Sequence, residues 1–175
     1  VLVMLGVQGE IPELAHHNFL FSDDWSDDFD AVFNGPVASR PQAASRSIYV
    51  SKPSATDPGV APAGHENLFV LVPVPADPSV GHGDMYRGEA SEQVQRIADA
   101  AIEQIAARCG VAGLGRRIVV KQTLGPTDFA ERYNAWSGGS IGPAHTLRQS
   151  AFLRGSNKSR KMDSLMYAGA TTTPG

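Results

Sequence analysis

Several short stretches of this sequence place reactive residue types at spacings that can do chemistry. Asp23-Asp24-Trp25-Ser26-Asp27-Asp28 sets carboxylates four apart, on one face of any helix they share, which suits a hard divalent cation. Gly138-Gly139-Ser140-Ile141-Gly142 spells the glycine-flanked serine of a nucleophile elbow, with His145 close behind. Gly110-Val111-Ala112-Gly113-Leu114-Gly115 has the glycines of a phosphate-cradling loop, in scrambled order. At the end, Tyr167-Ala168-Gly169-Ala170-Thr171-Thr172-Thr173-Pro174-Gly175 carries an apolar run into small residues, where bare backbone can lie against a flat or phosphorylated ligand.

The elements around the first three patterns argue for plainer roles. Trp25, Phe29, Val32 and Phe33 recur at helical spacing, so residues 24–33 read as a short helix with Ser22 and Asp23 at its N-cap. Acidic residues in a first turn are favoured by the helix dipole alone. An elbow must join a strand to a helix, yet residues 129–136, just before the glycines, read as helical. A histidine five residues beyond the serine is also a poor triad member. The Gly110 run follows a helix and is a C-cap and turn. His16, His17 and His65 lack the spacing of a metal site, and the sole cysteine, Cys109, has no partner for a disulfide.

The 175 residues suffice for one ordinary core, and a net charge of -3 offers nothing to nucleic acid. Apolar runs at 1–5 and 68–74 fall well short of the roughly 20 residues that span a bilayer, and no basic amphipathic helix is present. Strands are expected at 1–7, 18–22, 47–51, 67–73, 117–124 and 165–167, with 67–73 at the centre of the sheet because it is apolar on both faces. Helices are expected at 91–108, from 126 to 136 and at 143–152. Val94, Ile97, Ala98, Ala101, Ile102 and Ile105 form the buried stripe of the first, and Gly110 provides its left-handed exit. Glycine- and proline-rich loops fill 35–46 and 52–66, and Arg154, Lys158, Arg160 and Lys161 read as a solvated basic loop. Runs of strands with few helices argue for an α+β fold, a mixed and largely antiparallel β-sheet with helices on one face.

Blocks in a fixed order carry a family resemblance over nearly the whole chain. They are residues 14–24, opening Leu14-Ala15-His16-His17-Asn18, then 48–58 from Ile48 to Pro58, 61–67 and 71–75. Gly125-Pro126-Thr127-Asp128-Phe129, Ile141-Gly142-Pro143-Ala144-His145, residues 149–152 and the closing Gly-Ala-x-Thr-x-Pro-Gly type of turn complete the set. In these the chain resembles the bacterial-type phytoene (carotenoid) desaturases.

That resemblance implies an FAD-dependent oxidoreductase of carotenoid biosynthesis acting on CH-CH bonds, a phytoene desaturase or phytoene dehydrogenase, with this chain as a fragment lining its apolar substrate tunnel. Residues 1–155 would be a partial substrate-binding domain, and 156–175 the start of a Rossmann-like flavin-binding segment. The family's Gly-x-Gly-x-x-Gly fingerprint is absent, as are the glycines expected after Gly175, so the isolated chain should neither retain FAD nor turn over. Carried over residue by residue, Gly169, Ala170, Thr171, Pro174 and Gly175 match the flavin-contacting turn, while Thr173 stands where many members have His. His16, Phe19, Phe21, Tyr49, Phe69 and His145 are the implied substrate-binding residues, with Leu71 and Leu165 beside them in the wall. The resemblance assigns no catalytic side chain, since the flavin takes the hydride. It implies a cytoplasmic protein in peripheral contact with a membrane, binding a long apolar isoprenoid, phytoene. Another carotenoid desaturase, isomerase or ketolase of the same family, a non-catalytic apolar-ligand-binding module and, last, a serine hydrolase stay open as alternatives.

Overall fold

Alternation of apolar and polar residues builds the sheet, and a single long helix closes one side of it. The computed structural model describes residues 1–142, 147–150, 153–169 and 171–172. Strands β1 (Leu2–Gln8), β2 (His17–Leu20), β3 (Ile48–Ser51), β4 (His65–Leu71) and β5 (Ile118–Leu124) form one five-stranded sheet in the order β2-β3-β4-β1-β5. Every ladder is antiparallel, and β4 is the middle strand, as its apolar run predicts. The helices are α1 (Trp25–Asn34), α2 (Glu92–Cys109), the single turn α3 (Leu114–Arg117) and α4 (Pro126–Tyr133).

Residues Val3, Leu5 and Val7 of β1, Leu68 and Val70 of β4, and Ile48 and Val50 of β3 point to one face and are buried. The predicted stripe of α2, from Val94 to Ile105, completes the same apolar cluster. Each such side chain removed from water contributes about 1.5–3 kcal/mol, so this layer supplies most of the stability of the fold. Gly110 ends α2 at φ 73, in the left-handed region that costs glycine least. A polar corner holds the loop after β4 to β5. Asp128 accepts from the backbone of Gly83 at 2.6 Å and Gly125 at 2.8 Å, and Asp84 accepts from the Thr123 backbone at 2.6 Å.

Several expectations need correction. Asp24, not Ser22 or Asp23, caps α1, accepting from the Asp27 backbone at 3.1 Å. Helix α4 stops at Tyr133 because Asn134 turns left-handed at φ 52, so residues up to 136 do not extend it. Leu165 to Tyr167 form no strand of the sheet. They are exposed, and among the described residues they make an isolated bridge, Lys158 with Met166, and a turn bond from the Leu165 N–H to the Met162 carbonyl at 3.1 Å, with no longer ladder. Arg154 is buried at 7% exposure, whereas Lys158, Arg160 and Lys161 are exposed as expected. The helix expected over 143–152 lies largely outside the described residues.

Candidate functional site

Only one face of the sheet is covered by α2. On the other, the register sets Phe19 opposite Tyr49, Tyr49 opposite Leu71, Ser51 opposite Phe69, and Phe69 opposite Met4. Residues directly opposite in a sheet share a face, so these side chains form one surface. Tyr49, Phe69, Leu71 and Met4 are half-buried there by their neighbours, while Phe19 is 63% exposed. Gly6 lies on this face next to Met4's row, opposite Asn67 and Val120.

From this surface a single file of rings runs on to α1. His16 and His17 are 4.2 Å apart between centroids, His17 and Tyr49 6.0 Å, Tyr49 and Phe19 5.1 Å, and Phe19 and Phe21 6.0 Å. Phe21 then meets Trp25 at 5.3 Å, Trp25 meets Phe29 at 6.2 Å, and Phe29 meets Phe33 at 6.1 Å. From Tyr49 through Phe33 these separations lie in the range where aromatic pairs attract, each by about 0.5–1.5 kcal/mol beyond area burial. One end of the file is polar. His17 Nδ1 lies 2.7 Å from the Tyr49 hydroxyl, and His16 Nδ1 lies 2.7 Å from Thr56 Oγ1.

The file can continue onto α1 because that helix is turned inside out. Its inward residues are Asp28 and Ala31, and its aromatic face is outward. Asp28 is the cause. Its Oδ1 accepts from Arg40 Nε at 2.9 Å and the Arg46 backbone at 3.0 Å, while Oδ2 accepts from Ser45 Oγ at 2.8 Å, Ser47 Oγ at 2.7 Å and the Ser47 backbone at 3.0 Å. Burial pushes this carboxyl upward, but the bonds from Ser47, the Arg46 backbone, Ser45 and Arg40 outweigh it and hold the pKa down at about 2 against the ordinary 3.8. A buried carboxylate so well satisfied pins α1 to the loop before β3, leaving the opposite, aromatic side of the helix in water.

The same contacts engage three of the four carboxylates of the acidic pattern. Asp24 caps the helix, Asp27 accepts from Ser39 Oγ, and Asp28 is paired with Arg40. Ser140 stands on an exposed bend after a 3-10 turn over Trp136–Gly138, with no strand feeding it. Gly110 and Gly113 are left-handed residues flanking the α2–α3 turn.

Of the implied substrate-binding residues, the sheet brings Phe19, Phe21, Tyr49 and Phe69 to one apolar side, with His16 half-buried at the polar end of the file. Leu71 joins them, but Leu165 does not, because it lies outside the sheet. His145 lies outside the described residues. Sequence reading missed His17, whose place between His16 and Tyr49 follows from the alternation His17, Phe19, Phe21. It also missed the outward row Trp25, Phe29 and Phe33, for which helical spacing signals a stripe without saying which way it faces. Of the implied flavin turn, Ala170, Pro174 and Gly175 lie outside the described residues. Gly169 has φ 130, its carbonyl accepts from the Thr172 backbone at 3.2 Å, and Thr171 is exposed.

A separate groove of about 840 Å³ lies on the α2 side, between that helix and the loop holding Arg40. Its lining mixes Ile48, Val72 and Ile97 with Asp23, Glu103 and Arg108, so it is not the apolar wall. Among the described residues no helix is long and apolar enough to cross a membrane.

Over nearly its whole length the chain is similar to one section of proteins named as carotenoid desaturases. It is 43% identical over 174 residues to the carotenoid 3,4-desaturase of Haloarcula japonica, covering 99% of this chain and 32% of that protein. It is 31% identical over 175 residues to the 4,4'-diapophytoene desaturase (4,4'-diaponeurosporene-forming) of Staphylococcus aureus strain Newman, covering 99% of this chain and 33% of that protein. The chain therefore spans about a third of the length of these curated relatives. No family model matches it.

Proposed function

We propose that this chain is the substrate-binding part of an FAD-dependent carotenoid desaturase, and that its bare sheet face is one wall of the slot that holds the hydrocarbon. The observation that carries this reading is the file of outward rings on that face. A soluble sheet spends stability to leave such side chains in water, and an apolar ligand or covering element repays it. A polyene offers no polar handle, so the chain's task is to align it and keep water away rather than to supply an acid or base. Phe19, Phe21, Tyr49 and Phe69 do this through their rings, and His16 with His145 would stand near the slot as the resemblance implies.

FAD, when bound, supplies the hydride acceptor. The residues present suit such a group: no described atom lies within 4 Å of where a Cβ on Gly169 would stand, so its backbone is open to a flat partner. Thr171 beside it would face the same side, and Ala170, Pro174 and Gly175 would complete the contact. On this reading residues 1–155 bind substrate and 156–175 begin the flavin-binding segment, and the longer protein works in the cytoplasm against a membrane that delivers its substrate.

The higher identity to the 3,4-desaturase favours a second reading within the family, in which the substrate is another carotenoid and not phytoene. Both readings need the wall. Titrating the chain with phytofluene, a linear hydrocarbon polyene, in neutral detergent should give saturable binding that Phe19→Ser weakens about tenfold while circular dichroism shows the variant still folded at the assay temperature. Equal binding by the parent and the variant would remove the basis for the assignment.

A further inference from the structure

Building on the proposed slot, we infer that the outward row of α1, Trp25, Phe29 and Phe33, is a second stretch of the same hydrocarbon-binding surface, on which one end of an extended polyene lies. Nothing in the resemblance assigns these residues. They are 49%, 56% and 70% exposed, each on the same side of the helix at four-residue spacing, and they continue the wall without a break because Phe21 meets Trp25 at 5.3 Å.

The exposure is built into the fold and does not reflect a loose helix. An amphipathic helix buries its apolar stripe by default. Here Asp28, 4% exposed and bonded to Arg40, Ser45 and Ser47, takes the inward position and holds the rings outward. Asp28 is thus a positioning residue for the row.

The shape and charge of the surface select the occupant. The row is one ring wide, with successive rings 5.3–6.2 Å apart from Phe21 to Phe33, which matches a thread-like chain lying along ring faces better than a helix needing a groove. Helix α1 carries Asp27, Asp28 and Asp30 and no lysine or arginine, and Asp24 caps it. Surfaces that dock on anionic bilayers carry basic residues beside their aromatic ones, and this helix carries the opposite charge. A neutral linear hydrocarbon, continuous with the one on the sheet face, satisfies both constraints.

Trp136→Phe leaves Trp25 as the single tryptophan, since the chain has 2. In that background phytofluene, whose absorption overlaps tryptophan emission, should quench Trp25 saturably in neutral detergent. Phe29→Ser and Phe33→Ser should each weaken polyene binding about tenfold while circular dichroism shows the chain still folded at the assay temperature. If Phe19→Ser weakens binding while the polyene leaves Trp25 emission untouched and the α1 variants bind like the parent, the wall stands and the outer stretch is refuted. If no polyene binds at all, the proposed slot fails and this inference fails with it. If Trp25 emission instead shifts to the blue on polyene-free zwitterionic lipid vesicles and is not quenched by the polyene, the row is a membrane contact and the inference is overturned.

Discussion

Replacing Asp28 by asparagine keeps the size of the side chain and removes the charge that faces Arg40. The guanidinium stays 5% exposed, keeping its bonds to the Ser39 carbonyl at 3.0 Å and Ser22 Oγ at 2.9 Å but losing its counter-ion. Breaking a buried pair from one side costs about 3–5 kcal/mol, so urea unfolding followed by circular dichroism should show a loss of that size at neutral pH. The pH dependence is the sharper readout. A carboxyl held at about 2 when folded and near 3.8 when unfolded stabilises the fold fully above pH 4. That contribution disappears as pH falls through the folded value, because the unfolded chain binds the proton first. A depression of this size corresponds to roughly 2 kcal/mol. The gap between parent and Asp28→Asn should therefore narrow by roughly that amount between pH 5 and pH 2. Adding Arg40→Met, which removes the orphaned cation, should recover part of the loss. Parallel stability profiles for parent and variant across that window would refute the idea that an ionised Asp28 holds α1 in place.

Two other outcomes are expected beyond the polyene titrations. Gly83→Ala should destabilise the fold by about 3 kcal/mol or more in the same urea assay, because the new methyl would meet the Thr123 carbonyl oxygen at 1.9 Å, between two backbone segments that cannot both give way. Flavin titration of the isolated 175-residue chain should show no stoichiometric, tightly bound FAD, since the sequence holds no Gly-x-Gly-x-x-Gly fingerprint after a strand; a yellow equimolar complex surviving gel filtration would contradict this.

Local pattern was enough to read the long elements. The stripe from Val94 to Ile105 has helical period and was legible to the residue, because a helix of 18 residues must repeat its apolar face several times over. The β4 run was legible as the central strand for a similar reason: apolar residues on both faces need cover on both edges. The stretch from Leu165 to Tyr167 looks like a strand by composition, yet a strand exists only where a partner backbone accepts its hydrogen bonds, and here it finds one bridge. Arg154 sits in a run of basic residues that composition marks as solvated, but the chain path buries it.

The site divides along the same line. Residue types and period two already put Phe19 and Phe21 on one side of a strand, and the order of blocks already pointed to a hydrocarbon slot. Which side of the sheet stays bare depends on where α2 packs, more than 40 positions from β3 in sequence order, and such long-range placement leaves no local trace. The direction of α1 was equally hidden. A row of aromatic residues predicts burial on its own, and it is the convergence of Arg40, Ser45 and Ser47 on Asp28, a matter of three-dimensional bonding, that reverses the helix and turns its rings outward.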